Sequence, residues 1–202
     1  GPATDEGFYF DLDSADLKIS EADFPKIEAG MAKIIKEDLP ILKGGMTVKE
    51  ARKFFNNNIY KGNEYKHEWL DQIKARSEKV SVYWMGEKGK NKDIPETFVD
   101  ICSGPHVKST GKIGAFKLLS VAGAYWHGSE KNKMLTRIYG TCFSSKKELD
   151  HWLWQQEEAK ERDHRVLGQR LGLFIFDDEV GQGLPLWMPN GAWLKYIVQN
   201  FA

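Results

Sequence analysis

The alternation of apolar and polar residues predicts one helix and one extended segment near the start of the chain. Helical spacing links the apolar positions that follow Ser20, namely Phe24, Ile27, Met31, Ile34 and Ile35. Ser20, with Asp23 three residues later, has the pattern of a helix N-cap, so we expect an amphipathic helix from Ser20 to about Glu37. Before it, residues 7–13 are rich in aromatic side chains and flanked by turn residues, which indicates an extended segment.

Capping patterns predict where further helices begin. A Ser or Thr followed three residues later by Glu is typical of a helix start, and it occurs at residues 47–50 and 145–148. The first helix is expected to end near Asn56, and the second, the strongest of the chain, near Leu171. The polar residues 60–77 predict a loop with one helical turn. After the second helix the composition shifts to Gly, Pro and Trp, which predicts a domain boundary near residue 172.

Four segments have the β-branched and aromatic content of strands: 80–85, 97–102, 116–122 and 137–143. The turn-rich residues 86–95 separate the first two, which predicts a hairpin with a long, charged connection. Together with the helices, these strands predict an α+β fold in which an antiparallel sheet packs against helices.

Composition and charge narrow the class of protein. The chain has 202 residues, of which 29% are charged and 41% hydrophobic, a balance typical of a globular protein. No apolar run approaches the ~18–20 residues of a membrane span, and no signal-peptide pattern opens the chain. The two cysteines are too few for a disulfide scaffold and are typical of a reducing compartment. We therefore expect a cytoplasmic protein without a membrane partner.

Positive charge is concentrated in one part of a chain whose net charge is zero. Residues 102–147 carry eight Lys and Arg against one Glu, a net charge of +7, whereas residues 148–179 carry nine acidic against four basic residues, or −5. A basic stretch that also holds Tyr125 and Trp126 is typical of a surface that binds an RNA end by stacking and phosphate contact. Two alternatives stay open: lysines that coat a solvated sheet face, and an ordinary surface loop pinned by Trp126.

The sharpest cluster of chemically useful side chains lies at residues 100–106. Gly104 and Pro105 disfavour a helix there, because the residue before a proline is pushed out of the α region. We therefore predict a strand that ends at Cys102, a tight turn, and a His106 that returns to the same pocket. Asp100 lies two residues before Cys102, so both side chains point to one face of the strand. Purely structural roles for the cysteine and the histidine are the alternative.

Motifs along nearly the whole chain point to one family. They are GFYFD at 7–11, FVDICSGPHV at 98–107, AGAYWHG at 122–128, NKML at 132–135, RIYGT at 137–141, RDHR at 162–165, LGLF at 171–174 and GLPLW at 183–187. These motifs resemble those of threonyl-tRNA synthetases. In that family the matching region comprises an editing domain, a linker helix and the start of the class II catalytic domain.

The resemblance implies a domain organisation and an activity. Residues 1–144 would form the α+β editing domain, residues 145–171 the long linker helix, and residues 172–202 the incomplete start of the class II aminoacylation domain. The parent protein would activate threonine with ATP and charge tRNA, and the editing domain would hydrolyse serine from mischarged threonine tRNA. Because serine lacks only one methyl group of threonine, a binding pocket discriminates weakly, and a hydrolytic second step supplies the missing selectivity.

The resemblance also implies which side chains form the editing site. The catalytic residues would be Lys66, Asp100, Cys102 and His106. Lys66 and His106 would transfer protons, and Asp100 would hold the substrate amine or orient a partner. The acceptor end of threonine tRNA would contact the basic stretch and its aromatic residues, through Lys117, Tyr125, Trp126, Lys131, Lys133 and Arg137.

The sequence departs from the family pattern in three ways. Phe10 replaces a tyrosine, and Ser103 replaces an arginine. An H-x-x-x-H pair of the family pocket is expected upstream of Gly1, so we interpret the chain as an internal segment of a longer protein. These departures leave an alternative open, in which the chain is a synthetase remnant that binds RNA without hydrolysis.

Metals and cofactors are expected in the parent protein rather than in this segment. Related editing modules of the alanyl type hold zinc with an H-x-x-x-H and a C-x-x-x-H pair, which makes a metalloprotein the third possibility. Cys102 and His106 supply half of such a site, so we expect no metal and no cofactor here. The full-length parent would use ATP, Mg²⁺ and a catalytic-domain zinc ion and form a homodimer through that domain. This segment alone would not charge tRNA.

Overall fold

The computed structural model of this chain describes most of its residues. These are residues 3–4, 7–13, 18–56, 63–76, 79–86, 98–181 and 183–201. The chain divides into two compact units, residues 1–146 and 147–202. Helices and antiparallel sheets occur together, which confirms the predicted α+β class. The predicted boundaries of the editing domain, the linker helix and the catalytic domain stay predictions.

The elements of the first unit, in chain order, are β1 (Ala3–Thr4), β2 (Gly7–Leu12), α1 (Phe24–Lys36), β3 (Ile41–Met46), α2 (Val48–Phe55), α3 (Glu64–Ala75), β4 (Val80–Met85), β5 (Phe98–Ile101), β6 (Ala115–Tyr125) and β7 (Met134–Phe143). They are followed by α4 (Lys146–Glu161), α5 (His164–Arg170), β8 (Phe174–Phe176), β9 (Pro185–Trp187) and α6 (Pro189–Phe201). Among the described helices, none is both long enough and apolar enough to cross a membrane.

The first sheet has the strand order β1-β2-β7-β6, and all neighbouring strands are antiparallel. β6 and β7 form a long hairpin whose register shifts by one residue. Leu118 pairs with Gly140, but the next pair is Ser120 with Tyr139, so Leu119 forms a β-bulge. The bulge adds one residue to β6 and changes which of its later side chains face the core.

Helix α1 and the first sheet share a hydrophobic core. Phe24 of α1 is buried together with Leu118 and Ile138 of the sheet. A Cβ atom at Gly140 would lie 2.5 Å from the ring of Phe8, so this position has room only for glycine. The start of the helical region agrees with the predicted N-cap pattern at Ser20.

The second sheet, β3-β4-β5, is also antiparallel and has two distinct faces. Along β4 the buried side chains Val80, Val82 and Trp84 alternate with the half-buried Ser81, Tyr83 and Met85. Ala51 and Phe55 of α2 and Leu70 of α3 complete the core on the buried face. The opposite face of the sheet carries Tyr83 and Asp100 of the candidate site, whereas Lys66 comes from α3.

Residues 60–77, predicted to form a loop with one helical turn, instead contain the twelve-residue helix α3, so that prediction is wrong. Asn63 caps the helix, because its side chain accepts a hydrogen bond from the Lys66 N–H at 3.1 Å. Leu70 and Ile73 pack into the core of the second sheet. Other apolar residues of α3 lie on a different face, so its sequence shows no single helical stripe.

The helix predicted to continue to Leu171 is interrupted, which corrects the prediction of one long helix. α4 ends at Glu161, and Asp163 caps a new helix by accepting a hydrogen bond from the Arg165 N–H at 2.8 Å. The Arg165 guanidinium also donates to Asp163 at 2.6 Å. These hydrogen bonds hold the pKa of Asp163 well below its usual range. Aspartate favours helix N-caps, so it ends one helix here and begins the next.

The other predicted elements agree with the structure. The strands predicted within residues 80–85, 97–102, 116–122 and 137–143 correspond to β4, β5, β6 and β7, and the extended segment near the N-terminus contains β2. The capping pattern at Thr47 is confirmed, because its hydroxyl accepts a hydrogen bond from the Glu50 N–H at 3.2 Å. The long connection predicted between β4 and β5 lies in residues 87–97, outside the described part of the chain.

Candidate functional site

Helix α3 brings Lys66 into contact with Asp100 of β5. The Lys66 Nζ atom lies 2.5 Å from Asp100 Oδ1, and only 15% of the Lys66 side chain is exposed. The amine also lies 5.2 Å from the centre of the Phe55 ring. Asp100 Oδ1 accepts a second hydrogen bond, from the Ile101 N–H at 2.7 Å. Residues 66 and 100 are far apart in sequence, yet they form an ion pair that is partly shielded from water.

The pairing of β4 with β5 aligns the next members of the site. Asp100 lies directly opposite Tyr83 in the register of the two strands. Cys102 continues this pairing beyond β5, because its N–H donates to the Ser81 carbonyl at 3.2 Å and its own carbonyl accepts from the Ser81 hydroxyl at 2.6 Å. Since side chains alternate along a strand, Asp100 and Cys102 lie on the face opposite the buried Val99.

A tight turn then returns the chain to Tyr83. Gly104 has a φ of +77°, and its N–H donates to the Cys102 sulfur at 3.4 Å. A Cβ atom at Gly104 would lie 2.0 Å from the Tyr83 hydroxyl oxygen, so the turn can approach Tyr83 only with glycine at this position. The exposed ring of His106 packs edge-on against the Tyr83 ring, with 4.2 Å between ring centroids.

The far end of this turn is anchored to the segment between α1 and β3. The Thr110 N–H donates to the Leu39 carbonyl at 2.9 Å, and the buried Thr110 hydroxyl donates to the Ile34 carbonyl at 2.8 Å. Asp38 accepts from the Gly111 N–H at 3.0 Å. The turn is therefore fixed at both ends, at Cys102 and around Thr110.

The structure thus pairs Lys66 with Asp100, places Tyr83 opposite Asp100 in the strand register and packs His106 on the Tyr83 ring. Cys102 lies on the same face as Asp100, and its sulfur accepts the hydrogen bond that shapes the turn. Tyr83 was not among the residues singled out from the sequence. The signal for it is the alternation along residues 80–85, which directs Tyr83 away from the core, but its contact with His106 depends on the turn.

The described residues offer Cys102 and His106 no third zinc ligand. A structural zinc ion takes four protein ligands and a catalytic one usually three. Within the described ranges, no group of three or more His, Cys, Asp or Glu side chains is arranged to hold a metal ion. The pair therefore supplies two donors without a third from this part of the chain.

Three of the candidate RNA-binding cations have carboxylate partners. Each partner comes from the first 30 residues: Lys117 Nζ lies 3.0 Å from Glu28, Lys133 Nζ lies 2.7 Å from Asp13, and Arg137 makes two hydrogen bonds to Asp11, at 2.6 and 2.8 Å. The net charge of +7 over residues 102–147 therefore overestimates the free positive charge of this surface. Lys131 is exposed, as is Tyr125 at 37%.

Trp126 is engaged within the protein. Its indole Nε1–H donates to Glu68 Oε2 at 2.7 Å, and its ring lies 4.7 Å from that of Tyr65, centroid to centroid. His127, which has a φ of +55°, places Nε2 2.8 Å from the other oxygen of Glu68. The hydrogen bond from Trp126, followed by that from His127, lowers the pKa of Glu68. No local pattern in the sequence singles out Glu68, because its partners lie about 60 residues away.

The chain is similar to known tRNA synthetases. Residues 80–139, which include Tyr83, Asp100, Cys102 and His106, match the family model described as the threonyl and alanyl tRNA synthetase second additional domain. Threonine–tRNA ligases from Streptococcus pneumoniae, Streptococcus equi subsp. zooepidemicus and Streptococcus gordonii are 46% identical to this chain, over 204, 201 and 204 residues. These alignments cover 100% of the chain but 29% of each relative, so the chain spans less than a third of their length.

Proposed function

We propose that this chain, which fits a segment of a threonyl-tRNA synthetase, carries the editing site that hydrolyses serine from mischarged threonine tRNA. The chief observation in support is the Lys66–Asp100 ion pair beside the turn that presents His106. Three of the four predicted catalytic residues lie inside the segment that matches the second additional domain.

Hydrolysis of the ester requires one group that accepts a proton from the attacking water and another that protonates the departing ribose oxygen. We assign the first role to the exposed imidazole of His106, because imidazole exchanges protons near neutral pH. Lys66 is assigned the second role. Its ammonium is held by Asp100. This ion pair favours a role for Asp100 in orienting Lys66, over a role that is limited to holding the substrate amine. Cys102 would line the pocket and hold the turn through its sulfur.

The acceptor end of threonine tRNA would approach over the exposed Tyr125 and Lys131. Proteins usually bind an RNA end by stacking its bases on aromatic rings and by contacting its phosphates. Lys117, Lys133 and Arg137 would contribute less, because their charges are already paired with carboxylates.

For the whole protein we propose threonine–tRNA ligase activity, since the relatives carry that name. ATP, Mg²⁺ and a catalytic-domain zinc ion would then serve aminoacylation, in a cytoplasmic homodimer. The residues of this chain would contribute editing and would not by themselves activate threonine. ATP–pyrophosphate exchange that depends on threonine, measured with this chain alone, would contradict that division of roles.

The test is deacylation of threonine tRNA charged with serine, with threonine-charged tRNA as the reference substrate. Lys66→Ala, Asp100→Asn and His106→Ala should each lower the rate of serine release by at least ~100-fold, because each removes a group that moves or orients a proton. Lys74→Ala, a change at an exposed lysine of the same helix, should leave the rate unchanged. Binding of mischarged tRNA without serine release would instead indicate an RNA-binding module.

A further inference from the structure

Helix α3 is held on two different faces. Lys66, Leu70 and Ile73 are spaced by four and three residues and therefore share one face. This face meets the core, where Leu70 is fully buried and the Lys66 amine lies over the Phe55 ring. By themselves, the contacts of this face hold the helix from one side only.

The second face of α3 is formed by Tyr65, Glu68 and Trp69, which are related by the same helical spacing. It meets the loop at residues 126–133, which joins β6 to β7. Glu68 Oε2 accepts a hydrogen bond from the indole of Trp126, and Glu68 Oε1 lies 2.8 Å from His127 Nε2. The ring of Tyr65 packs on Trp126, and that of Trp69 lies 5.9 Å from His127.

The loop itself is closed and is also tied to Asp13, the residue that follows β2. The Trp126 N–H donates to the Lys133 carbonyl at 3.0 Å, and the Asn132 side chain donates to the Trp126 carbonyl at 2.8 Å. Lys133 and Tyr65 both bond to the same oxygen of Asp13, each at 2.7 Å. A closed loop with several attachments can fix the rotation of α3 about its own axis.

We infer that Trp126 and Glu68 are positioning residues for Lys66. Together they set the rotation of α3 and thereby the approach of the Lys66 amine to Asp100. The kinetic part of this inference rests on the proposed editing function. A displacement of ~1 Å at a reacting group costs about 100-fold in rate, so a small rotation of the helix is enough to matter. In this view Trp126 acts through the protein and not as a stacking platform for RNA.

The substitution Trp126→Phe separates the two roles. It keeps an aromatic face for a nucleobase but removes the N–H that donates to Glu68. We expect kcat for serine release to fall about tenfold with KM unchanged. Glu68→Ala should behave in the same way, and Glu68→Gln, which retains an acceptor for the indole, should recover much of the loss. Tyr125→Ala should instead raise KM, because it removes a proposed RNA contact. Trp154→Phe on α4 is the matched control and should change neither kcat nor KM.

A second measurement does not depend on activity. Acetic anhydride modifies lysine amines at rates that reflect their exposure and pairing, and mass spectrometry reports each site. Lys66 should react several-fold faster in Trp126→Phe and Glu68→Ala than in the unaltered chain, with Lys117 as the internal reference. Unchanged reactivity of Lys66, or a raised KM with unchanged kcat, would overturn the inference. If the unaltered chain releases no serine, the proposed function fails, and the labelling still decides the positioning role.

Discussion

Two irregular segments contribute to the candidate site, and different forces hold them. The turn at residues 102–109 is fixed by the close packing of Gly104 and by hydrogen bonds at its ends, which come from backbone and hydroxyl groups and include one to the Asp38 carboxylate. The loop at residues 126–133 is attached to the rest of the first unit through the carboxylates of Glu68 and Asp13. Backbone hydrogen bonds do not titrate, whereas contacts of a carboxylate depend on pH and salt. The geometry of the turn around Gly104 is therefore mainly a steric property, and that of the loop is mainly an electrostatic one.

The largest effect is expected when the turn gains a methyl group at residue 104. Gly104→Ala combines a left-handed backbone conformation with a clash against the Tyr83 hydroxyl. We expect the free energy of unfolding to fall by about 2–4 kcal/mol. Serine release should fall at least ~100-fold, because His106 would move away from the site. Urea denaturation and the deacylation assay measure the two quantities.

Gly128 provides the matched control in the loop. Its φ is +70°, and among the described residues no atom lies within 4 Å of the position of a Cβ atom. Gly128→Ala should therefore cost only the backbone strain, about 1–2 kcal/mol in the free energy of unfolding. Equal losses of stability in Gly104→Ala and Gly128→Ala would show that packing on Tyr83 adds nothing to the turn.

As the pH falls, the contacts that hold the loop at residues 126–133 should weaken before those that hold the turn at residues 102–109. Hydrogen bonds from Trp126 and then from His127 lower the pKa of Glu68 in the folded chain. A lowered pKa means that the ionised carboxylate stabilises the folded state above its ordinary pKa, and that this contribution disappears as the pH falls through the folded value. We therefore expect the Trp126 indole N–H to exchange faster with solvent once the pH falls below about 4.

Protonation of Asp13 should also weaken the attachment of the loop at low pH, because hydrogen bonds from Lys133 and then from Tyr65 lower the pKa of Asp13 in the folded chain. Nuclear magnetic resonance resolves both the indole N–H and the Gly104 amide during an acid titration. In Glu68→Gln the indole exchange rate should depend less on pH. Loss of Gly104 amide protection at the same pH as the indole would contradict the distinction between the two segments.

The smallest effect concerns one free and one paired cation of the basic stretch. Lys131 is exposed, whereas Lys117 forms an ion pair with Glu28. Lys131→Gln should reduce the slope of log affinity against log salt by about 0.7–0.9 for threonine tRNA, the value for one phosphate contact. Lys117→Gln should change the slope less. Equal changes in both variants, measured by filter binding over a salt series, would indicate that Glu28 does not neutralise Lys117.

The parts of the site that the sequence predicts are those fixed by local rules. Asp100 and Cys102 are two residues apart on a strand, so alternation alone places them on one face. The capping pattern at Thr47 is equally local, and the structure confirms it. The resemblance to threonyl-tRNA synthetases, carried by family motifs, is also confirmed.

The parts that the sequence does not predict depend on partners far along the chain. Helix α3 has apolar residues on two faces, because Leu70 meets the core while Trp69 meets the loop, and this division hides its helical period. The interruption at Asp163 lies inside an otherwise helical pattern and depends on a capping hydrogen bond. The charge of the basic stretch is offset by acidic residues such as Asp11, more than 100 positions away.

The bulge at Leu119 determines which face of the sheet each later side chain of β6 points to. Because strand side chains alternate, one inserted residue reverses the assignment of inner and outer positions from Ser120 to Tyr125, while the earlier half of the strand keeps its own. Val121, three positions after Leu118, therefore packs against the same core as the buried Leu118. Deleting Leu119 would leave Ser120 opposite Tyr139 in a regular ladder, so the later side chains of β6 would keep their faces and the strand would lose only its bulge.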